Sequence, residues 1–194
     1  MIEVEKKFKL NAEQERRLIE GAELIAVKRN EDIYFDTEDF TLTRQDHWLR
    51  TRNGRFELKR RVHELGHKFG GTAYDEIEND EGIREFLRLP GNGSMESDLF
   101  AAGYKPFAPI RKERRSYKRG DFHIDLDICD FGYELAEIEL MINNADDRGE
   151  ALARIEALAT ELGLDQTPVR GKIIEYLFRF RQPHYDALVE AGVI

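Results

Sequence analysis

Two periodicities share this chain. From Ile2 to Leu10, Ile2, Val4 and Phe8 alternate with Glu3, Glu5 and Lys7. Residues two apart share one face of a strand, so this spacing predicts a β-strand. Similar alternation predicts strands over Asp32–Asp36, Trp48–Arg52, Arg55–Val62, Thr72–Glu78, Arg111–Lys118, Phe122–Cys129 and Glu134–Ile142. The turns Arg52-Asn53-Gly54-Arg55 and Arg119-Gly120 join neighbours as hairpins.

Elsewhere the period is that of a helix. In Asp147–Leu162, Leu152, Ile155, Leu158, Ala159 and Leu162 fall at steps of three and four, and Gly163 supplies a stop. A shorter helix follows Asn11, whose side chain can cap it, with Gln14 completing a capping box. Gly82–Leu89 and Ser94–Gly103 read as further helices around the turn Pro90-Gly91-Asn92-Gly93. A helical stretch from Val169 to Phe180 breaks near Pro183, with a last turn or two through Tyr185–Ala191. About eight strands, none alternating strictly with a helix, predict an α+β fold built on an antiparallel sheet or barrel. No repeat or linker interrupts residues 1–194, so one domain is expected.

Composition narrows the partners. Of 194 residues, 41% are hydrophobic and 36% charged, with 30 Lys+Arg against 39 Asp+Glu for a net charge of −9. An acid excess argues against a nonspecific nucleic-acid or membrane-surface binder. Cys129, alone of its kind, cannot form an internal disulfide, and no Cys/His cluster has zinc spacing. The opening MIEVEKKFKL lacks the basic and apolar regions of a signal peptide, and no apolar run approaches the roughly 20 residues that span a bilayer. A cytoplasmic protein is the expectation. Motifs of P-loops, dinucleotide folds, serine hydrolases and zinc proteases are missing from the sequence.

The charges are segregated by strand parity. Glu3 with Glu5, Asp125 with Asp127, Glu137 with Glu139 and Glu76 with Glu78 are four i,i+2 carboxylate pairs, while Arg50 pairs with Arg52, and Lys59 and Arg61 share a face with Glu57. Any half-buried antiparallel sheet turns its polar parity to water, which would account for each strand singly. Like charges on one face repel, however, and natural surfaces intersperse the signs. Paired acids suit a hard divalent cation, and paired bases suit phosphate oxygens. If the sheet closes with its polar parity inward, both sets would line one lumen and suit a polyphosphate.

The segment Glu3-Val4-Glu5-Lys6-Lys7 is the ExExK signature of the CYTH, or triphosphate tunnel metalloenzyme, superfamily. The chain resembles its thiamine triphosphatase branch along nearly its whole length, through IEVEKKF (2–8), YFDT (34–37), DHWLRTR (46–52), ELK (57–59), RRSYK (114–118), DLDICDFGY (125–133), EIE (137–139) and GKIIEYLFRFRQPHY (171–185). The resemblance implies an eight-stranded antiparallel barrel enclosing a triphosphate tunnel, with flanking helices and a C-terminal helix near one tunnel mouth. It implies Mg²⁺, with Mn²⁺ as the alternative, held by Glu3, Glu5, Asp125, Glu137 and Glu139. It places Lys7, Arg50, Arg52, Lys59, Arg115 and Lys172 on the triphosphate and Trp48 against the organic moiety. Asp127 fits the acidic pattern in a ligand or supporting part, and Glu76 or a metal-bound carboxylate pair is the candidate to position the attacking water. The histidines carry no metal spacing and receive no role. The implied reaction is hydrolysis of the terminal phosphoanhydride of thiamine triphosphate by a monomer. Hydrolysis of inorganic tripolyphosphate, a class IV-type adenylate cyclase and a noncatalytic polyphosphate-binding module are the alternatives.

Overall fold

The computed structural model describes residues 2–61, 72–91 and 93–194. Val62 and Asn92, which figure in the expectations above, lie outside them, as do two of the histidines, His63 and His67. Eight strands are formed: β1 (Ile2–Phe8), β2 (Glu23–Asp36), β3 (His47–Arg52), β4 (Arg55–Arg61), β5 (Thr72–Ile77), β6 (Lys105–Arg119), β7 (Phe122–Cys129) and β8 (Tyr133–Ile142). Six α-helices accompany them among the described residues: α1 (Ala12–Ile19), α2 (Asp80–Leu87), α3 (Met95–Ala101), α4 (Arg148–Glu161), α5 (Lys172–Phe180) and α6 (Gln182–Glu190). The strands close into an antiparallel barrel in the order β1-β5-β4-β3-β2-β6-β7-β8. No helix of the described residues is long and apolar enough to cross a membrane.

The chain divides into two compact units. The first takes its described residues from 2–29, 72–74 and 112–172. Its core joins Val4, Phe8, Ile124, Leu126, Ile138 and Leu140 of the strands to Leu18 of α1 and Leu152, Ile155 and Ala159 of α4. These strand residues are one parity of β1, β7 and β8, so the helices cover that face and Glu3, Glu5, Asp125 and Glu137 lie on the other. Asn11 caps α1 through Gln14 in a reciprocal capping box, as the spacing predicts.

The second unit takes residues 30–61, 75–111 and 173–194, described except at position 92. Its core packs Phe35, Leu49 and Leu58 against Ile83 of α2 and Met95 and Leu99 of α3. Leu49 and Leu58 are directly opposed in the β3–β4 ladder. Trp48, Arg50, Arg52, Glu57 and Lys59 therefore occupy the opposite parity.

Several boundaries differ from the sequence expectation. β2 begins at Glu23 rather than Asp32, because Leu24, Ile25 and Val27 form an apolar run without alternation and remain half-exposed. β6 begins at Lys105 and runs through Pro106 and Pro109, residues that demote a sequence as a strand. Pro183 starts α6 within its first turn, where the missing N–H costs nothing. α2 begins at Asp80, earlier than expected, because Asn79 caps it through the Gly82 amide.

Candidate active site

The polar parity is buried. Asp125 and Asp127 are each 2% exposed, Glu137 and Lys112 4%, Arg50 5% and Asp32 1%. A sheet that merely turned polar residues to water would leave them exposed, so the solvated-face reading fails for these residues, while Glu76 of β5 stays exposed.

In the first unit, the ladders set Glu5 opposite Glu139, Lys7 and Asp125 each opposite Glu137, and Arg114 opposite Asp127. Lys172, the first residue of α5, reaches Asp127 at 2.8 Å and Glu137 at 2.7 Å. Arg114 pairs with Asp127 at 2.6 Å, with Glu137 at 2.8 Å and with Asp125. Ser116 donates to Asp125 at 2.6 Å, and Lys7 pairs with Glu5. Burial alone would raise the Glu137 carboxyl, but Lys172, Arg114 and Lys7 hold it well below the ordinary range. Asp127 is likewise held low against burial by Lys172, Arg114 and Lys112.

Glu139 behaves in the opposite sense. Burial, followed by repulsion from Glu3, Glu137, Asp125 and Glu5, pushes its carboxyl up to about 9. Its ligand atoms meet two groups within 4.8 Å: Glu3 with Glu5, and His123 with Asp125. Three convergent carboxylates, one of them destabilised as an anion by its neighbours, fit a hard divalent cation that would relieve the repulsion. Glu137 belongs to neither ligand group, being engaged by Arg114 and Lys172.

In the second unit, Arg52 forms a two-point pair with Asp32 at 2.9 and 3.1 Å. Arg50 reaches Glu57 at 2.8 Å and the Tyr34 hydroxyl at 3.4 Å. Lys59 pairs with Glu76 at 2.5 Å. Burial opposes ionisation of Glu76, yet Lys59, Arg50 and Arg52 lower its pKa. Glu76 is thus an ionised counter-ion, a weak proton acceptor at neutral pH. Trp48 is buried on the same parity as Arg50, its indole Nε1 donating to Asp46 at 2.8 Å, with Tyr34 set edge-on at 6.3 Å and 87°.

One expected phosphate ligand is not brought to these sets. Arg115 turns to α1, where it pairs with Glu15 at 2.9 Å. Its neighbour Arg114 occupies the polar parity instead, because adjacent residues of a strand face opposite ways. The two-residue turn Gly120-Asp121 sets Arg119 opposite Phe122, and counting back along the hairpin sets Arg114 opposite Asp127. That register was available in the sequence. Lys112 and His123 join the acidic face by the same count, His123 lying 3.1 Å from Asp125. Asp32, Tyr34 and Glu57, partners of the arginines, carried no isolated signal.

The CYTH domain model matches residues 1–169, and the chain belongs to that family. It is 32% identical over 210 residues to the thiamine-triphosphatase of Homo sapiens, covering 99% of this chain and 91% of that protein. Against the thiamine-triphosphatase of Macaca fascicularis the identity is 31% over 212 residues, with the same coverage. Among solved structures, the PH1819 protein of Pyrococcus horikoshii OT3 superposes with a TM-score of 0.69 at 25% identity, covering 92% of this chain and 99% of that one.

Proposed function

We propose that this protein is a phosphoanhydride hydrolase that cleaves the terminal phosphate from thiamine triphosphate, giving thiamine diphosphate and phosphate. The observation that carries the reading is the burial of Arg50, with Arg52 and Lys59 on its parity, beside the single tryptophan of the chain. A buried arginine face suits a polyanion, and an adjoining indole suits a cationic ring. The names of the two mammalian relatives agree with that substrate.

Arg50, Arg52 and Lys59 hold phosphate oxygens in this reading, aimed by their carboxylate partners Glu57, Asp32 and Glu76. Within the first unit, Lys7, Arg114 and Lys172 are phosphate ligands in this reading, with Arg114 taking the part expected of Arg115. Glu3, Glu5 and Glu139 would hold Mg²⁺ or Mn²⁺, with Asp125 and His123 as a second ligand group sharing Glu139. A divalent cation bound there supplies neutralisation of phosphate charge. Glu137 and Asp127 aim Arg114 and Lys172. Glu76, ionised and anchored by Lys59, orients the attacking water by accepting its hydrogen bond. Water attacks the terminal phosphorus, the bond to the bridging oxygen breaks, thiamine diphosphate leaves with that electron pair, and the proton lost by the water passes to solvent. Positioning and electrostatics carry such a transfer, whose charge is spread over the phosphoryl oxygens. A small-molecule substrate, a monomer and a cytoplasmic setting complete the proposal.

Purified protein with Mg²⁺ is expected to release phosphate and thiamine diphosphate from thiamine triphosphate. Release from tripolyphosphate alone would overturn the substrate, and pyrophosphate from ATP would indicate a cyclase.

A further inference from the structure

The indole of Trp48 is held by a built device. Asp46, which closes the loop between β2 and β3, is 3% exposed and adopts a left-handed backbone at φ 55°, ψ 41°. Asp and Asn tolerate that conformation better than most residues. The Asp46 carboxylate accepts from Trp48 Nε1 at 2.8 Å through one oxygen and from Arg61 Nη1 at 3.0 Å through the other. The loop itself is clamped by Asp36, also 3% exposed, which accepts from the amides of Thr37, Leu42 and Thr43 at 2.8, 3.0 and 2.9 Å and from the Thr43 hydroxyl at 2.6 Å. The Asp46 amide in turn donates to the Thr43 carbonyl at 3.0 Å. Two buried carboxylates thus fix a ten-residue connection whose last side chain ends on the indole nitrogen.

An aromatic side chain has a broad second torsion, so strand parity alone places the Trp48 ring without fixing its plane. A buried indole N–H needs an acceptor, and Asp46 is that acceptor. We propose that Asp46 is the positioning residue of Trp48, fixing the plane of the indole and thereby setting the preference for a triphosphate bearing a cationic aromatic group over bare tripolyphosphate. The inference rests on the reading of Trp48 as the platform for the organic moiety.

The test uses Asp46→Gly, which accommodates the positive φ and removes the acceptor, and Asp46→Asn, which keeps an acceptor oxygen. Trp48→Phe removes the donor from the other side if the glycine variant does not fold, and Trp48→Ala serves as reference. Because Trp48 is the only tryptophan, its emission and acrylamide quenching report its own environment. In Asp46→Gly the kcat/KM ratio of thiamine triphosphate to tripolyphosphate should fall about tenfold, chiefly through KM, with Trp48 becoming more quenchable. Trp48→Phe should lower the ratio in the same direction. Asp46→Asn should keep the emission and hold the ratio within about threefold, the acceptor being retained. An unchanged ratio in Asp46→Gly, or in Trp48→Phe where that variant stands in, would overturn the inference. A loss in Asp46→Asn equal to that in Asp46→Gly would also overturn it, because charge and not the indole acceptor would be at work. If Trp48→Ala itself leaves the ratio unchanged, the platform reading falls, whereas a lowered ratio in Trp48→Ala alone sinks only the role of Asp46.

Discussion

Replacing Glu137 by Gln tests the buried charge cluster with the least change of volume. Glu137 accepts from Arg114 at 2.8 Å and from Lys172 at 2.7 Å while 4% exposed. Breaking a buried ion pair by removing one partner typically costs about 3–5 kcal/mol, because a charge is stranded. Here neither cation is stranded: Arg114 keeps Asp125 and Asp127, and Lys172 keeps Asp127 at 2.8 Å. The loss should therefore match charge-assisted hydrogen bonds, about 1.5–3 kcal/mol. Denaturant unfolding of metal-free protein at pH 7 measures it. The sign of its pH dependence follows from the depressed carboxyl. Burial opposes ionisation, but Lys172, Arg114 and Lys7 hold the folded-state pKa well below the reference of 4.5. The stabilisation is therefore present above the unfolded pKa and lost as pH falls through the folded one. The gap between wild type and Glu137→Gln should be full at pH 7 and close progressively in acid below about pH 4.5. A gap that widens in acid, or none at pH 7, would refute the reasoning. In the same folded variant, Mg²⁺-supported phosphate release should drop at least about tenfold, since Glu137 aims two of the proposed phosphate ligands.

Three further outcomes separate the proposed roles. Arg114→Ala should cut turnover at least about a hundredfold while Arg115→Ala stays within about threefold; parallel steady-state rates decide, and the reverse order would restore Arg115 to the site. In metal-free protein, Glu139 binds its proton up to about 9 against an unfolded value near 4.5, through burial and the four neighbouring carboxylates, so its contribution makes stability fall as pH rises across that window. Glu139→Gln should flatten this slope in urea titrations at several pH values, and an unchanged slope would contradict the assignment. Trp48→Ala should lower kcat/KM on thiamine triphosphate about tenfold more than on tripolyphosphate, as expected for a lost cation–π contact; equal losses would make Trp48 a packing residue.

Most of the barrel was legible because its strands alternate. Val4 and Phe8 against Glu5 and Lys7, or Ile124 and Leu126 against Asp125 and Asp127, announce both a strand and the parity that carries charge. The first half of β2 was not legible, since Leu24-Ile25-Ala26-Val27 reads as an undivided apolar run, nor was the start of β6, where two prolines stand. The placement of Arg115 away from the charge sets has a different origin. A run of adjacent arginines offers two parities, and a linear match to a motif does not choose between them; only the hairpin register does. The partners of the site were the least visible. Asp46 looked like part of a motif flank, and its contact with the Trp48 indole depends on a loop that Asp36 closes across six and seven residues. Such tertiary hydrogen bonding leaves no periodic trace.

The proposed function is that of a metal-dependent triphosphatase with an aromatic platform at Trp48. Its most direct measurement is phosphate release from thiamine triphosphate and from tripolyphosphate, side by side, in Mg²⁺ and again in excess chelator. Thiamine triphosphate should give the higher kcat/KM, and turnover on both substrates should be lost in chelator. Turnover that survives chelation, or a higher kcat/KM for tripolyphosphate, would contradict that function.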